Sequence, residues 1–229
     1  MPLDLSRIRA ICFDVDGTLS DTDDMWVARL VRPLQLVRWM LPNRDVHSAA
    51  RRLVMEMETP GNFAYHLLDR LHLDDEAAHL INTLAHRKSR RKAHPFLLIP
   101  GVAEMLDALG RHYPLSVVSA RDAETTHTFL EQFHLLPHFQ AVATAQTCTF
   151  TKPFPHPIQW AAEKMGVPPE NCLMVGDTTV DIRAGRAAGA QTVGVLCGFG
   201  YQEELERAGA DAILNSTDEL ANLLQLPGN

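Results

Sequence analysis

Hydrophobic and polar positions follow three successive patterns along the chain. Near the N-terminus, Ile11-Cys12-Phe13 is a short apolar run that ends in Asp14-Val15-Asp16 and breaks at Gly17. A bounded run of this kind, carrying a β-branched and an aromatic residue, predicts a buried strand whose acids sit where it leaves the sheet. From Thr22 to about His94 the periodicity is helical. Trp26, Leu30, Leu34, Val37 and Leu41 form one apolar stripe, interrupted by Pro33, and Asn62 to Leu71 and Asp74 to about Lys92 form further helices. From Pro95 onward short apolar runs alternate with amphipathic stretches. Leu115 to Ser119, Gln140 to Ala143, Asn171 to Gly176, Gln191 to Leu196 and Asp211 to Leu214 read as strands. Gly101 to His112, Asp122 to His134, Ile158 to Met165 and Thr179 to Ala190 read as helices.

Such alternation predicts an α/β fold with a mainly parallel sheet covered on both faces. The first strand precedes the helical stretch and still has to join that sheet, so the stretch is expected to emerge as an insert beside the sheet's active end. The expected division is an α/β core from residues 1–20 and 95–229 and an all-helical insert from residues 21–94. A length of 229 residues with 46% hydrophobic content is enough for one large domain, or a domain with a modest insert, around a substantial core. A formal charge of −7 argues against a general nucleic-acid or membrane-surface partner, both of which require a basic field. Neither a signal-peptide pattern nor a membrane-length apolar run is present, and Cys12, Cys148, Cys172 and Cys197 form no C-x-x-C pair. Reduced thiols and a cytoplasmic location are the corresponding expectation.

The chemistry begins at Asp14 and Asp16. They share a parity on an extended strand, so both are able to lean toward one pocket, and two carboxylates held that close invite a divalent cation. Mg²⁺ prefers oxygen ligands, and one or two carboxylates plus a substrate phosphate suffice for it. The stretch Phe13-Asp14-Val15-Asp16-Gly17-Thr18-Leu19 resembles the first motif of the haloacid dehalogenase-like superfamily, most of whose members are Mg²⁺-dependent phosphohydrolases working through an aspartyl-phosphate. The resemblance implies a Rossmann-like, doubly wound core, with Asp14 as nucleophile and Asp16 as general acid/base. The expected metal ligands are Asp14, Asp16 and Asp177.

Three later stretches extend the resemblance in order. Val117-Val118-Ser119 matches the second motif, whose hydroxyl contacts the transferring phosphoryl group, so Ser119 is the expected phosphate ligand. Ala120 departs from the pattern, because phosphoglycolate phosphatase-like members often carry Asn there. Thr151-Lys152-Pro153-Phe154-Pro155-His156-Pro157 resembles the third motif. Lys152 would offset charge on the phosphoryl oxygens and on the crowded carboxylates, both as a catalytic group and as a phosphate ligand. Leu173-Met174-Val175-Gly176-Asp177-Thr178-Thr179-Val180-Asp181 resembles the fourth, with Asp177 at a strand end and Asp181 as an outer-shell acceptor positioning Lys152 or a metal-bound water. Ala184 to Ala190 and Gly198-Phe199-Gly200-Tyr201 carry the likeness toward the phosphoglycolate phosphatase-like branch with a small helical cap. Those small residues also have a plain reading as close helix packing, a C-cap and a turn.

The expected activity is hydrolysis of a small phosphorylated metabolite, of phosphoglycolate or sugar-phosphate type, with Mg²⁺ as cofactor, by a monomer or homodimer. A mutase that returns the phosphoryl group to a sugar phosphate is the nearest alternative. A dehalogenase fits less well, because the resembling dehalogenases lack the second acid. A metabolite-binding protein on an inactive enzyme fold fits least, since Asp14, Asp16, Ser119, Lys152, Asp177 and Asp181 are all present. The one dense basic run, His86 to Lys92, reads either as a solvated helix end or as an anion-attracting rim.

Overall fold

Strand β1, Ala10–Phe13, is the centre of a six-stranded parallel sheet ordered β3-β2-β1-β4-β5-β6. The other strands are β2 (Leu115–Val118), β3 (Phe139–Ala143), β4 (Cys172–Gly176), β5 (Gln191–Val195) and β6 (Ala212–Leu214). The computed structural model describes residues 3–21 and 96–225, together with the single positions 35, 38 and 46. The chain divides into two compact units, Met1–Asp23 with Phe96–Asn229, and Asp24–Pro95. The helices expected between residues 22 and 94 and the basic run His86 to Lys92 lie outside the described residues.

Helices connect the strands: α1 (Val102–Gly110), α2 (Ala123–Gln132), α3 (His156–Met165), α4 (Thr179–Ala187), α5 (Gln202–Ala208) and α6 (Leu220–Leu223). Their ends follow local chemistry. Asp122 caps α2 by accepting from the Thr125 N–H at 2.9 Å, and α3 carries a proline in its first turn and closes on Gly166 in the left-handed region. Among the described residues, the strands and helices expected in the α/β core are present with ends shifted by a few residues. Helices α5 and α6 were not expected: the seven residues of α5, Gln-Glu-Glu-Leu-Glu-Arg-Ala, bury only Leu205 and carry no apolar stripe, and α6 spans only four residues.

The period of two along the strands divides the core between the sheet's faces. Ile11, Phe13, Leu115, Val117, Leu173 and Val175 pack with Leu106, Leu109, Phe129 and Leu220 on one face. Ala10, Cys12, Cys172 and Met174 pack with Ile158, Ala161 and Ala162 of α3 and Ala184 of α4 on the other. Central strands therefore bury both faces, as a parallel sheet covered by helices requires. All four cysteines are free, and among the described residues no helix is long and apolar enough to cross a membrane.

Strand order reverses at β1, with β2 on one side and β4 on the other, and ligands of open α/β sheets bind at the carboxyl ends of strands beside such a reversal. Beyond β1 the chain makes a closed loop. The Leu19 and Ser20 N–H groups donate to the Val15 carbonyl at 2.9 and 2.8 Å, and Gly17, at φ 71°, turns the backbone where a side-chain-bearing residue would be strained. The two places where the intervening segment joins this loop lie side by side. Asp21 N–H donates to the Leu97 carbonyl at 2.9 Å, and Ile99 N–H donates to the Leu19 carbonyl at 3.0 Å.

Candidate active site

Asp14 continues the alternation of β1 onto the α3 side of the sheet, the side shared by Ala10 and Cys12. Its N–H donates to the Val175 carbonyl at 2.9 Å, which fixes it against the end of β4, where Asp177 follows. Lys152 lies in the loop between β3 and α3, after which Pro153 and Pro155 lead into the helix. Its Nζ stands 2.6 Å from Asp14 Oδ1 and 2.6 Å from Asp181 Oδ1, and its side chain is 4% exposed. This is a buried, charge-assisted bridge between residues far apart in sequence.

Asp181 has a second task. It sits in the first turn of α4, and its Oδ2 accepts from the Thr178 N–H at 3.0 Å and from the Thr178 hydroxyl at 2.7 Å, in a capping box. One carboxylate thus ends the strand-to-helix turn with one oxygen and holds Lys152 with the other. Asp177 is fully buried. Its Oδ2 accepts from the Phe199 N–H at 2.8 Å, and its Oδ1 lies 3.5 Å from the Thr18 hydroxyl. The backbone segment Gly198-Phe199-Gly200 passes directly over Asp177, so close that a Cβ on Gly198 would collide with its carboxylate. The small-residue stretch read in sequence as a turn is therefore also the cradle of this acid.

Asp14, Asp177 and Asp181 each contribute an oxygen to a cluster in which these atoms lie within 4.8 Å of one another. Three buried carboxylates against the single ammonium of Lys152 leave excess negative charge, which like-charge repulsion and desolvation both oppose. Burial pushes the Asp14 carboxyl up to about 7, against the pull of the Lys152 ammonium and with the help of Asp181 and Asp16. Lys152 is shifted the other way. Burial opposes its charge, but the two carboxylates outweigh burial and raise its pKa. An all-oxygen donor set with surplus negative charge fits a hard divalent cation such as Mg²⁺.

Ser119 follows β2 at the same end of the sheet. It is buried, its N–H donates to the Ala143 carbonyl at 2.9 Å, and its Oγ accepts from the Arg121 N–H at 3.1 Å. Asp16 takes a separate position. Its carboxylate is gripped by the Arg121 guanidinium, Nε reaching Oδ2 at 2.9 Å and Nη2 pairing with Oδ1. The site residues expected from sequence therefore fall into three groups: Asp14, Lys152, Asp177 and Asp181 in one buried knot, Ser119 at the adjacent strand end, and Asp16 paired with arginine.

Arg121 was missed in sequence. Its signal was slight, an arginine two places beyond the serine that ends a strand, just where Ala120 removes the usual amide.

A family model described as haloacid dehalogenase-like hydrolase matches residues 11–195. A phosphoglycolate phosphatase of Nitrosococcus oceani is 31% identical over 96% of this chain and 98% of its own length. The pyrophosphatase PpaX of Oceanobacillus iheyensis is 28% identical over 95% and 97%. Among solved structures, a hydrolase from Pseudomonas syringae aligns with a TM-score of 0.67 at 26% identity, covering 96% of this chain and all of that one. A haloacid dehalogenase family hydrolase from Deinococcus radiodurans, crystallised with bound phosphate and sodium, aligns at 0.68 with 25% identity and 96% coverage of both chains.

Proposed function

Given that the chain belongs to the haloacid dehalogenase-like hydrolase family and is a phosphoric monoester hydrolase, we propose that it removes the phosphoryl group of a small phosphorylated metabolite in two steps, through an aspartyl-phosphate at Asp14. The observation that carries this reading is the buried contact of Asp14 with Lys152, which is itself held by Asp181. It places a carboxylate oxygen beside a fixed cation at the sheet end where Ser119 and Asp177 also converge.

In the first step an Asp14 oxygen attacks phosphorus and the bond from phosphorus to the leaving oxygen breaks. That oxygen takes its proton from Asp16. In the second step water attacks phosphorus, Asp16 takes a proton from the water, and the bond from Asp14 to phosphorus breaks to release inorganic phosphate. Lys152 offsets charge on the phosphoryl oxygens while keeping Asp14 oriented, and the Ser119 hydroxyl donates to one of those oxygens. Asp181 acts through Lys152 as a positioning residue.

Mg²⁺ is the cofactor this reading implies, held by Asp14 and Asp177, whereas Asp16, the further ligand read from sequence, has both carboxylate oxygens engaged by Arg121. When bound it offsets the charge of the carboxylates and of the phosphoryl group. Residues 21–94 are read as a helical cap that selects the substrate, since their two attachment points meet beside the Asp14 loop. The substrate class is a small molecule bearing a phosphoryl group, of the kind named for the phosphoglycolate phosphatase and pyrophosphatase relatives.

The test is phosphate release from a panel of phosphorylated metabolites with Mg²⁺, coupled to borohydride reduction of quenched enzyme, which converts an aspartyl-phosphate to homoserine. Homoserine at position 14, seen by peptide mass spectrometry only in the presence of substrate, is the expected result. Phosphate release with no modification of Asp14 would overturn the covalent route, and an isomerised sugar phosphate in place of free phosphate would make the protein a mutase.

A further inference from the structure

Arg121 is fastened at both ends. Its backbone N–H donates to Ser119 Oγ at 3.1 Å and its carbonyl accepts from the Ala145 N–H at 2.9 Å. The following residue, Asp122, caps α2. At its tip the guanidinium lies with Cζ 5.0 Å from the centroid of the Phe96 ring, a stacked contact of the kind arginine favours. Nε and Nη2 engage Asp16, which leaves Nη1 shielded from solvent with no hydrogen-bond partner. Among the described residues only one other buried side-chain nitrogen or oxygen shares that condition, the Ser116 hydroxyl inside the sheet. A buried donor left unpaired is costly, and one carried by a cation more so, so this nitrogen calls for an anionic acceptor.

The position of Arg121 limits what that acceptor is. The residue is two places from Ser119, and its own side chain grips Asp16, so the free N–H groups belong to the same strand-end constellation as the proposed phosphate ligand. Lys152 is already bound to two carboxylates. The Arg121 side chain is 14% exposed as a whole while Nη1 itself is shielded, so an acceptor meeting it meets a desolvated donor, for which a charge-assisted bond counts. Ala120 presents no polar side chain, so Arg121 is the first residue after Ser119 in this turn with a polar group to offer substrate, and Asp122 beyond it is engaged in capping α2.

We propose that Arg121 is a specificity-determining residue whose Nη1 binds a second anionic group of the substrate, a carboxylate or a second phosphoryl group, close to the one transferred. This deepens the phosphatase reading and rests on it for the placement of the scissile phosphoryl group. It predicts a preference for doubly anionic phosphorylated compounds over esters with neutral tails.

The experiment compares wild type with Arg121→Gln and Arg121→Lys, using 2-phosphoglycolate, pyrophosphate and methyl phosphate. Loss of a charged hydrogen bond predicts that Arg121→Gln lowers kcat/KM for the preferred doubly anionic compound about 10- to 100-fold more than for methyl phosphate. The lysine variant, which keeps the charge but not the fork, should fall between. Whether 2-phosphoglycolate or pyrophosphate shows the larger selective loss identifies the second group as carboxylate or phosphoryl. Equal losses on all three compounds would overturn the proposal and reduce Arg121 to a positioning residue for Asp16. No loss on any would overturn it as well.

Calorimetric binding of the same compounds to Asp14→Asn, with and without Arg121→Gln, separates this proposal from the hydrolytic reading. Selective loss of doubly anionic binding in a chain whose wild type releases no phosphate would sustain the Arg121 assignment and sink the reaction. A far-ultraviolet spectrum and melting temperature close to wild type confirm that each variant is folded.

Discussion

Lys152 Nζ lies 2.6 Å from Asp14 Oδ1 while the same ammonium lies 2.6 Å from Asp181 Oδ1, so the proposed nucleophile is held by a cation that another carboxylate has already positioned. Replacing Lys152 with Met removes the cation that touches both members of this pair and leaves two carboxylates without it in a buried site. Breaking one side of a buried ion pair typically costs about 3–5 kcal/mol. The loss should be smaller at pH 5 than at pH 8, because protonation relieves the repulsion between the two acids. Urea unfolding at both pH values checks this, and equal losses would remove the charge explanation. Phosphatase activity should fall about 10²–10³-fold, the usual cost of deleting one preorganised group that stabilises developing charge.

Asp14 itself makes a prediction with a definite sign. Its carboxyl is pushed from 3.8 up to about 7 by burial. Between those values the folded, metal-free chain holds a proton that the unfolded chain has released. This group's contribution to stability is therefore fully present below about pH 4 and is lost as pH rises through about 7. Unfolding free energies measured in chelator from pH 4.5 to 7.5 should decline more steeply with pH for wild type than for Asp14→Asn, which has no proton to lose. Parallel slopes would show that burial does not control this acid. The same variant should retain its fold and lose turnover, since an amide is a poor nucleophile.

Much of this architecture was legible because the physics concerned is local or periodic. The short unbroken apolar run Ile11-Cys12-Phe13 predicted a buried strand, which packs on both faces, and each expected strand of the core is present. Asp14, Ser119 and Asp177 were placed at strand ends by apolar runs ending in a polar residue, Lys152 was placed by the spaced prolines that follow it, and all four occur at one end of the sheet. What escaped was one pairing across a long separation. That Asp16 meets Arg121 depends on the direction the chain takes after Gly17, and no periodicity encodes that direction. Nor was the double use of Asp181 visible in full, since a residue four places beyond Asp177 fits a helix cap and an acceptor for Lys152 equally well.

Metal binding should compete with protons. A cation held by Asp14 needs the ionised carboxylate, so Mg²⁺ affinity is expected to rise about tenfold per pH unit below about 7 and to level off above it, given the raised Asp14 pKa. Isothermal titration from pH 5.5 to 8 measures this directly. An affinity independent of pH would exclude Asp14 as a ligand. Asp177→Asn should weaken binding at every pH, and Ca²⁺ should inhibit, because its larger and looser coordination misplaces nucleophile and phosphoryl group.

Asp16 and Arg121 form a pair whose partners should fail differently. Asp16→Asn is expected to lower turnover about 10²–10⁴-fold on every substrate if this carboxyl moves the proton, whatever the substrate's tail. Poor leaving groups should suffer most, because they depend most on protonation, and p-nitrophenyl phosphate should suffer least in the first step. A uniform loss across leaving groups would take the acid role away from Asp16.

The last prediction concerns Gly198, which touches no substrate in the proposed reaction yet packs against Asp177, the acid proposed to hold the metal. A Cβ at this position would run into the carboxylate, Cβ and Cγ of Asp177, which are themselves held by the Phe199 N–H and buried completely. Neither party has room to yield, so Gly198→Ala should push the Asp177 carboxylate out of the cluster it shares with Asp14 and Asp181. Mg²⁺ affinity should drop by at least about tenfold, since small displacements of a ligand oxygen are poorly tolerated by an ion that demands near-ideal octahedral geometry. Overpacking of this kind also costs about 1–3 kcal/mol of stability. Gly110→Ala provides the control. At that position, the end of α1, a Cβ meets only Leu115 Cδ1 at an ordinary 3.8 Å, and alanine is the better helix former. Gly110→Ala should therefore leave metal affinity unchanged and stability equal or slightly higher. If both variants bind Mg²⁺ like the parent, the close passage of the Gly198 backbone over Asp177 has no part in holding the ion.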